Sequence, residues 1–127
     1  MARSRLPDTR PAVTHKFRIG EQKGYLSVGL AANGQPLELF IKISKQGSTI
    51  GGFASALARL TSISLQHGVP LAVICQKMRG LRFEPMGCTP NRDIPQADSI
   101  VDYIFSWLEL KFITRPEGPI EEPIGGR

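Results

Sequence analysis

Residues 47–68 constrain the fold most, because they have the pattern of a glycine-rich turn followed by one long helix. Apolar residues recur at helical spacing on one face, and smaller residues form a second face beside it. The first face holds Ile50, Phe53, Leu57, Leu60 and Ser64, and the second holds Ala54, Ala58, Thr61 and Leu65. Two such faces predict a helix that is covered on two sides, at the centre of the core. Ser48 or Thr49 is expected to cap its start and Gly68 to end it.

Three short strands are predicted before this helix, over residues 15–19, 25–30 and 37–43, where apolar and polar residues alternate. Residues 20–24 and the pair Asn33-Gly34 supply turns between them. Strands joined by such short turns form an antiparallel meander, and the helix that follows is the expected cover for one of its faces. The predicted fold class is therefore α+β, with a three-stranded antiparallel meander packed against a central helix and two further helices.

The two further helices follow the long one. Pro70 is well placed to begin the second, whose apolar stripe ends before Gly80. Residues 86–96 are rich in proline and glycine and predict a loop, and Asp98 or Ser99 is expected to cap a third helix over 100–112. We therefore expect a flexible basic arm over residues 1–14, one folded domain over 15–112 and a disordered tail over 113–127.

The whole chain has 127 residues, of which 41% are hydrophobic and 21% charged, and its net charge is +5. These values are typical of one soluble globular domain with its own core. No apolar run approaches the roughly 18 residues of a transmembrane helix, and the basic start lacks the apolar stretch of a secretory signal. We expect a cytoplasmic protein without a membrane partner, in which the two cysteines stay reduced.

Two groups of residues could contact an anion or an acidic partner. Backbone N–H groups and the helix dipole favour a phosphate at the start of the long helix, near Lys45, Gly47, Ser48, Thr49 and Gly51. A basic cluster follows the second helix and contains Lys77, Arg79 and Arg82. The structural alternatives are a capped helix whose glycines permit close packing on the sheet, and a solvated positive turn at a helix C-terminus. The glycine-rich turn matches neither a P-loop nor a dinucleotide-binding fingerprint.

No catalytic or metal site is predicted. A metal would require His15, His67, Cys75 and Cys88 to converge, and their spacing does not support this. No base and orienting partner mark a nucleophile. Cys75 is expected to be a buried small hydrophobe, Cys88 to be exposed, and His67 to bond to the last carbonyls of the long helix.

Several segments, taken together, resemble one known module. They are LPDTRPAVTHKF at 6–17, GYLSVGL at 24–30, GSTI at 47–50, QHGVPL at 66–71, RFEPMG at 82–87 and SIVDYIFSWL at 99–108. These segments resemble the C-terminal region of adenosylcobalamin-dependent (class II) ribonucleotide reductases, which is often called a TSCPD domain. The resemblance covers about residues 6–112.

The resemblance implies an accessory or regulatory module in deoxyribonucleotide synthesis that does not catalyse reduction alone. The family's radical-bearing barrel and its redox cysteine pairs have no counterpart among these residues, so no catalytic residue is carried over. The family enzyme uses adenosylcobalamin, but we expect this chain itself to bind no cofactor. The implied partner is a ribonucleotide reductase catalytic chain, and a nucleotide is a second candidate.

The alternative function is a basic module that binds a nucleotide or a nucleic acid and is unrelated to reductase activity. The positive charge supports it. The small number of aromatic residues on the predicted strands counts against it, because only Phe17, Tyr25 and Phe40 are available to stack on bases.

Overall fold

The computed structural model of this chain describes residue 3, residues 6–45 and residues 47–114. Its elements, in chain order, are β1 (Ala12–Ile19), β2 (Gln22–Leu30), β3 (Pro36–Ile43), α1 (Ser48–Gln66), α2 (Leu71–Met78), β4 (Gly87–Cys88), β5 (Gln96–Ala97), α3 (Ile100–Glu109) and a π-helical turn (Leu110–Thr114). The first three strands form one antiparallel sheet in the order β1-β2-β3. The predicted α+β fold with a three-stranded meander is confirmed.

The first strand begins earlier than the sequence predicts. It starts at Ala12, three residues before the predicted start, inside the segment interpreted as a flexible arm. Pro11 indicates the end of a strand in the sequence because proline lacks a backbone N–H, but its carbonyl still accepts a hydrogen bond from the Leu30 N–H at 3.0 Å. Arg10 also joins the sheet, because its guanidinium pairs with the Glu38 carboxylate at 2.8 Å. The sheet therefore includes residues that local patterning assigned to the arm.

The two hairpin turns differ in how well the sequence located them. The first is shorter than predicted, because Ile19 lies opposite Gln22 and β2 starts immediately after Gly20-Glu21. The second is confirmed at Asn33-Gly34. Gly34 has φ +87°, and the Asn33 side chain accepts a hydrogen bond from the Gln35 N–H at 3.0 Å.

Helix α1 packs along β3, the edge strand of the sheet. The Ser62 hydroxyl accepts a hydrogen bond from the Leu39 N–H at 2.8 Å, and the Gln66 amide donates to the Leu37 carbonyl at 3.0 Å. These bonds satisfy backbone groups that an edge strand otherwise leaves unpaired. The helix must approach the strand closely to make them, and the buried side of α1 is accordingly mostly small or polar: Ala58, Thr61 and Gln66 are buried there together with one large apolar residue, Leu65.

The prediction that α1 is covered on two sides is wrong. Three large apolar residues of its first face remain in solvent: Phe53 is 75% exposed, Leu60 62% and Ile50 48%. Leu57 of the same face is part-buried against the core. The physical reason is the contact with β3, because bulky side chains on the packed face would hold the helix too far from the strand for its hydrogen bonds.

Helix α3 occupies the centre of the core instead. Its residues Tyr103, Ile104, Phe105, Trp107 and Leu108 are all buried. It packs on the inner face of the sheet, where the rings of Phe17 and Tyr103 stack 5.3 Å apart. Ser99 caps its start by accepting a hydrogen bond from the Asp102 N–H, as predicted. The predicted helix over 100–112 is divided, because the α-helix ends at Glu109 and the π-helical turn continues the chain.

The second helix lies where the sequence placed it, with Pro70 at its start and Gly80, φ +85°, after its end. The predicted loop over 86–96 is wrong in part, because β4 and β5 pair within it and just beyond it. The Gly20 N–H donates to the Cys88 carbonyl, which joins this ribbon to the first hairpin. The predicted tail lies outside the described residues from 115 onward. Within the described ranges, no helix combines the length and the apolar character needed to cross a membrane.

Candidate functional site

The start of α1 is open and has no side-chain cap. Gly47 is the residue that precedes the helix, with φ −68° and ψ 171°, while Ser48 and Thr49 already lie in its first turn. The prediction that Ser48 or Thr49 caps this helix is therefore wrong, because a capping residue must stand outside the helix with extended backbone. Lys45 is exposed just before it, in a left-handed conformation with φ +58°.

The glycines of this turn do not pack against the sheet. A Cβ atom added to Gly47, Gly51 or Gly52 would meet nothing within 4 Å. The structural alternative, glycines that permit close packing, is therefore wrong as well. Anion binding by Lys45, Gly47, Ser48, Thr49 and Gly51 stays a prediction.

Replacing the helical glycine at position 52 by alanine is expected to stabilise the protein by about 0.5–1 kcal/mol, because glycine loses more backbone entropy than alanine in a helix and nothing obstructs the new methyl group. Gly24→Ala is the contrasting variant. Its Cβ would lie 2.6 Å from Phe17 Cζ and 2.9 Å from the Lys42 carbonyl oxygen. We expect that overpacking to lower the free energy of unfolding by about 1–3 kcal/mol.

Urea denaturation measures both changes in the free energy of unfolding. A loss of stability in Gly52→Ala would contradict the open environment at that position.

The basic cluster after α2 is balanced by carboxylates. Arg79 forms an ion pair with Glu109 of α3, and Arg82 Nη1 lies 3.7 Å from Asp98 Oδ1. Lys77 is exposed on the last turn of α2. Arg79 thus joins the end of α2 to α3, and Arg82 pairs with the segment that precedes α3. Less of their charge is available to an external anion than the sequence indicates. A contact role for Lys77, Arg79 and Arg82 stays a prediction.

The two thiols have opposite environments, as predicted. Cys75 is buried in α2 and Cys88 is exposed in β4, and both are free. Burial, together with the negative charge of Glu109, raises the pKa of Cys75 from 9.0 to about 12. A thiol of this kind is protonated at neutral pH and is a poor nucleophile and a poor metal ligand. Among the described residues, no three His, Cys, Asp or Glu side chains are grouped so as to hold a metal ion.

The two histidines have structural roles. The ring of His67 bonds to the Ile63 carbonyl at 3.0 Å, which confirms the prediction for the end of α1. The sequence suggests no structural partner for His15. Its Nε2 lies 2.9 Å from the Tyr103 hydroxyl, and its ring stacks on Trp107 with the ring centres 4.7 Å apart. Asn91 donates to the same hydroxyl at 2.9 Å. This network joins β1, the loop between β4 and β5, and α3 across long sequence separations, so local patterns in the sequence could not reveal it.

The most unusual exposed surface is one face of α1. We call it the α1 apolar face, and it consists of Ile50, Phe53, Leu60 and Ile63, which are all exposed. The 19 residues of α1 include a single charged side chain, Arg59. A helix face that only meets solvent is normally rich in charged residues, and a contiguous apolar surface usually marks an interaction site. The α1 apolar face is therefore the candidate docking site of this domain.

Comparison with known proteins identifies the family to which this chain is similar. The family model of the TSCPD domain matches residues 2–112. The vitamin B12-dependent ribonucleotide reductase of Rhodopirellula baltica is 53% identical over 112 residues, which cover 88% of this chain and 11% of that protein. The corresponding proteins of Streptantibioticus cattleyicolor and Bradyrhizobium diazoefficiens are 43% and 36% identical over 87% and 89% of this chain, and 18% and 9% of their own lengths. No solved structure matches the chain.

The chain thus spans only a small part of these relatives, and the part it matches is their C-terminal region. The match extends from the N-terminal segment through β1 and α1 to the π-helical turn that follows α3. It therefore includes the three-stranded sheet, the α1 apolar face and both cysteines. The chain belongs to the TSCPD domain family.

Proposed function

We propose that this TSCPD domain is a non-catalytic module of deoxyribonucleotide synthesis that docks through the α1 apolar face on the catalytic part of a vitamin B12-dependent ribonucleotide reductase. The observation that carries the proposal is the exposure of large apolar side chains, above all Phe53 and Leu60, on a helix with one charge. Burying such a side chain stabilises a contact by about 1.5–3 kcal/mol.

The reductase is the proposed partner because of the relatives. In those proteins the matching region makes up 9–18% of the chain, so the rest of the reductase is covalently close to every copy of it. A covalent link raises the effective concentration to about the millimolar range and avoids most of the cost of association. A face as small as one side of α1 is then sufficient to keep the module docked, and the same face binds more weakly when the two parts are separate chains.

Two features of the described residues support a non-catalytic role. The buried thiol of Cys75 is protonated at neutral pH, which does not suit a thiol relay. The α1 apolar face is one side of a helix and therefore convex, whereas a corrin ring needs a concave pocket. We accordingly propose that the module binds no adenosylcobalamin and that the cofactor chemistry belongs to the partner.

The test uses a vitamin B12-dependent reductase trimmed of the region that matches this chain, and measures its binding to this chain by calorimetry. The wild-type chain is expected to bind. The double variant Phe53→Glu/Leu60→Glu is expected to weaken binding at least about tenfold, because two carboxylates would enter an apolar contact without partners. Val73→Glu is the matched control, since Val73 is an exposed apolar residue on α2.

Binding of the trimmed reductase should be unchanged in the Val73→Glu control. Equal binding of the double variant would remove the α1 apolar face from the interface. Failure of the wild-type chain to bind at all would contradict the docking proposal itself. Circular dichroism of each variant shows whether the fold is intact, and the exposed positions make large changes in the spectrum unexpected.

A further inference from the structure

The outer face of the sheet, on the side away from α3, is exposed and cationic. The strand register places Lys16, Tyr25 and Lys42 in one row across β1, β2 and β3. Arg18 and Lys23 form the neighbouring row. All five side chains are exposed. Together with Phe40 they define what we call the open sheet face.

Two aromatic side chains lie among these cations. Tyr25 is 43% exposed and stands between Lys16 and Lys42, and Phe40 is 56% exposed two residues before Lys42 on the same side of β3. Residues two apart on a strand point to the same face. Phe17, the third aromatic residue on these strands, points to the core and is buried. The scarcity of aromatics in the sequence counted against nucleic-acid binding, but the register brings two of them together beside lysines.

The charge of this face is strongly one-sided. Lys16, Arg18, Lys23 and Lys42 project from it without an ion pair among the described contacts at 4.0 Å or less. The carboxylate on these strands, Glu38, lies beyond the Phe40 row and is paired with Arg10 at 2.8 Å. The surface is therefore complementary in charge to a polyanion.

The shape of the face selects among polyanions. Alternate residues on a strand are about 6.6 Å apart and neighbouring strands about 4.8 Å apart. The four cations therefore spread over roughly 10 by 7 Å, and the row of Phe40 extends the face to roughly 10 by 13 Å. A mononucleotide binds better in a concave pocket, whereas an extended strand can follow a flat basic surface and stack its bases on aromatic rings. We propose that the open sheet face binds single-stranded nucleic acid, with the four cations contacting phosphates and Tyr25 and Phe40 stacking on bases.

This site is separate from the docking site proposed above. The α1 apolar face lies on a helix at the β3 edge, whereas the open sheet face is the broad outer side of the three strands. The inference does not depend on the reductase partner, so either proposal can fail without the other.

Fluorescence anisotropy with a labelled 12-nucleotide oligothymidylate tests the proposal on the full chain. Four phosphate contacts on a single strand give a salt slope of about −2.8, so affinity is expected to fall on the order of 50-fold between 50 and 200 mM NaCl. Lys16→Gln/Lys42→Gln should weaken binding and reduce the slope to about −1.4, because two of the four contacts are removed.

The aromatic variant separates stacking from charge. Tyr25→Ser/Phe40→Ser is expected to weaken binding about tenfold or more and to leave the salt slope unchanged. Arg92→Gln is the control for the charge variant Lys16→Gln/Lys42→Gln, because Arg92 is an exposed arginine in the loop between β4 and β5. It should change affinity by less than about twofold, since it lies outside the proposed contacts.

Three results would overturn the inference. The first is the absence of saturable binding at 50 mM NaCl. The second is an unchanged affinity in Tyr25→Ser/Phe40→Ser, which would mean that bases do not stack there. The third is displacement of the oligonucleotide by polyglutamate as effectively as by unlabelled oligothymidylate, which would identify the open sheet face as a site for an acidic protein surface.

Discussion

At pH 8, iodoacetamide is expected to modify Cys88 while leaving Cys75 essentially unmodified. The thiolate is the reacting species, and the pKa of Cys75 is raised to about 12 by burial and by the charge of Glu109. At this pH only about one Cys75 thiol in ten thousand is ionised, roughly a thousandfold fewer than for a thiol with the ordinary pKa of 9.0. Because Cys75 has no exposed surface, access of the reagent lowers its rate further.

Mass spectrometry of tryptic peptides after timed alkylation measures the two rates separately. In denaturant the difference should disappear, because the unfolded chain exposes both thiols equally. Cys88→Ser should leave the native protein without rapid modification. Rapid native labelling of Cys75 would mean that α2 opens readily, and it would remove the buried thiol as an argument against redox chemistry in this domain.

The sheet could be predicted well because its signals are local. Alternation of apolar and polar residues identifies the strands, and Asn33-Gly34 marks the second turn without reference to any tertiary contact. The errors are at places where a neighbouring strand decides the boundary. Ala12 belongs to β1 because it lies opposite Gly29 of β2 in the register, and no local pattern contains that information.

The role of the long helix could not be predicted for a different reason. Helical periodicity shows that α1 has a large apolar face and a small one, but it does not say which of them meets the sheet. That choice depends on hydrogen bonds with the edge strand, in which Ser62 accepts from the Leu39 N–H and Gln66 donates to the Leu37 carbonyl, across 23 and 29 residues of sequence. A large apolar face that the sequence assigns to the core can therefore lie in solvent.

The candidate sites show the same division. The sequence identified Arg79 and Arg82 as a basic cluster, but the carboxylate that pairs with Arg79 comes from Glu109, 30 residues away. Conversely, the alternation along the first strand already predicts that Lys16 and Arg18 lie on one face of the strand and Phe17 on the other. Only the register across three strands shows that Tyr25 lies between Lys16 and Lys42, and this arrangement is what makes the open sheet face a candidate site.

Two phenylalanine truncations test which helix forms the centre of the core. Phe105 of α3 is 0% exposed, so Phe105→Ala is expected to cost about 3–5 kcal/mol through lost burial and the cavity that remains. This is a large fraction of the roughly 5–15 kcal/mol that stabilises a typical domain. Phe53 of α1 is 75% exposed, and Phe53→Ala is expected to change stability by less than about 0.5 kcal/mol.

Urea denaturation of both variants and of the wild-type chain gives the comparison, and the substitution is the same in each. If Phe105→Ala is too unstable to purify, Phe105→Leu provides a milder truncation for which a smaller loss in the same direction is expected. A larger loss in Phe53→Ala than in the Phe105 variants would mean that α1 is covered in solution. Sedimentation over a range of concentrations would then show whether a second copy of the chain covers it. With the expected result, Phe53 contributes little to the fold, which is what the proposed docking through the α1 apolar face requires.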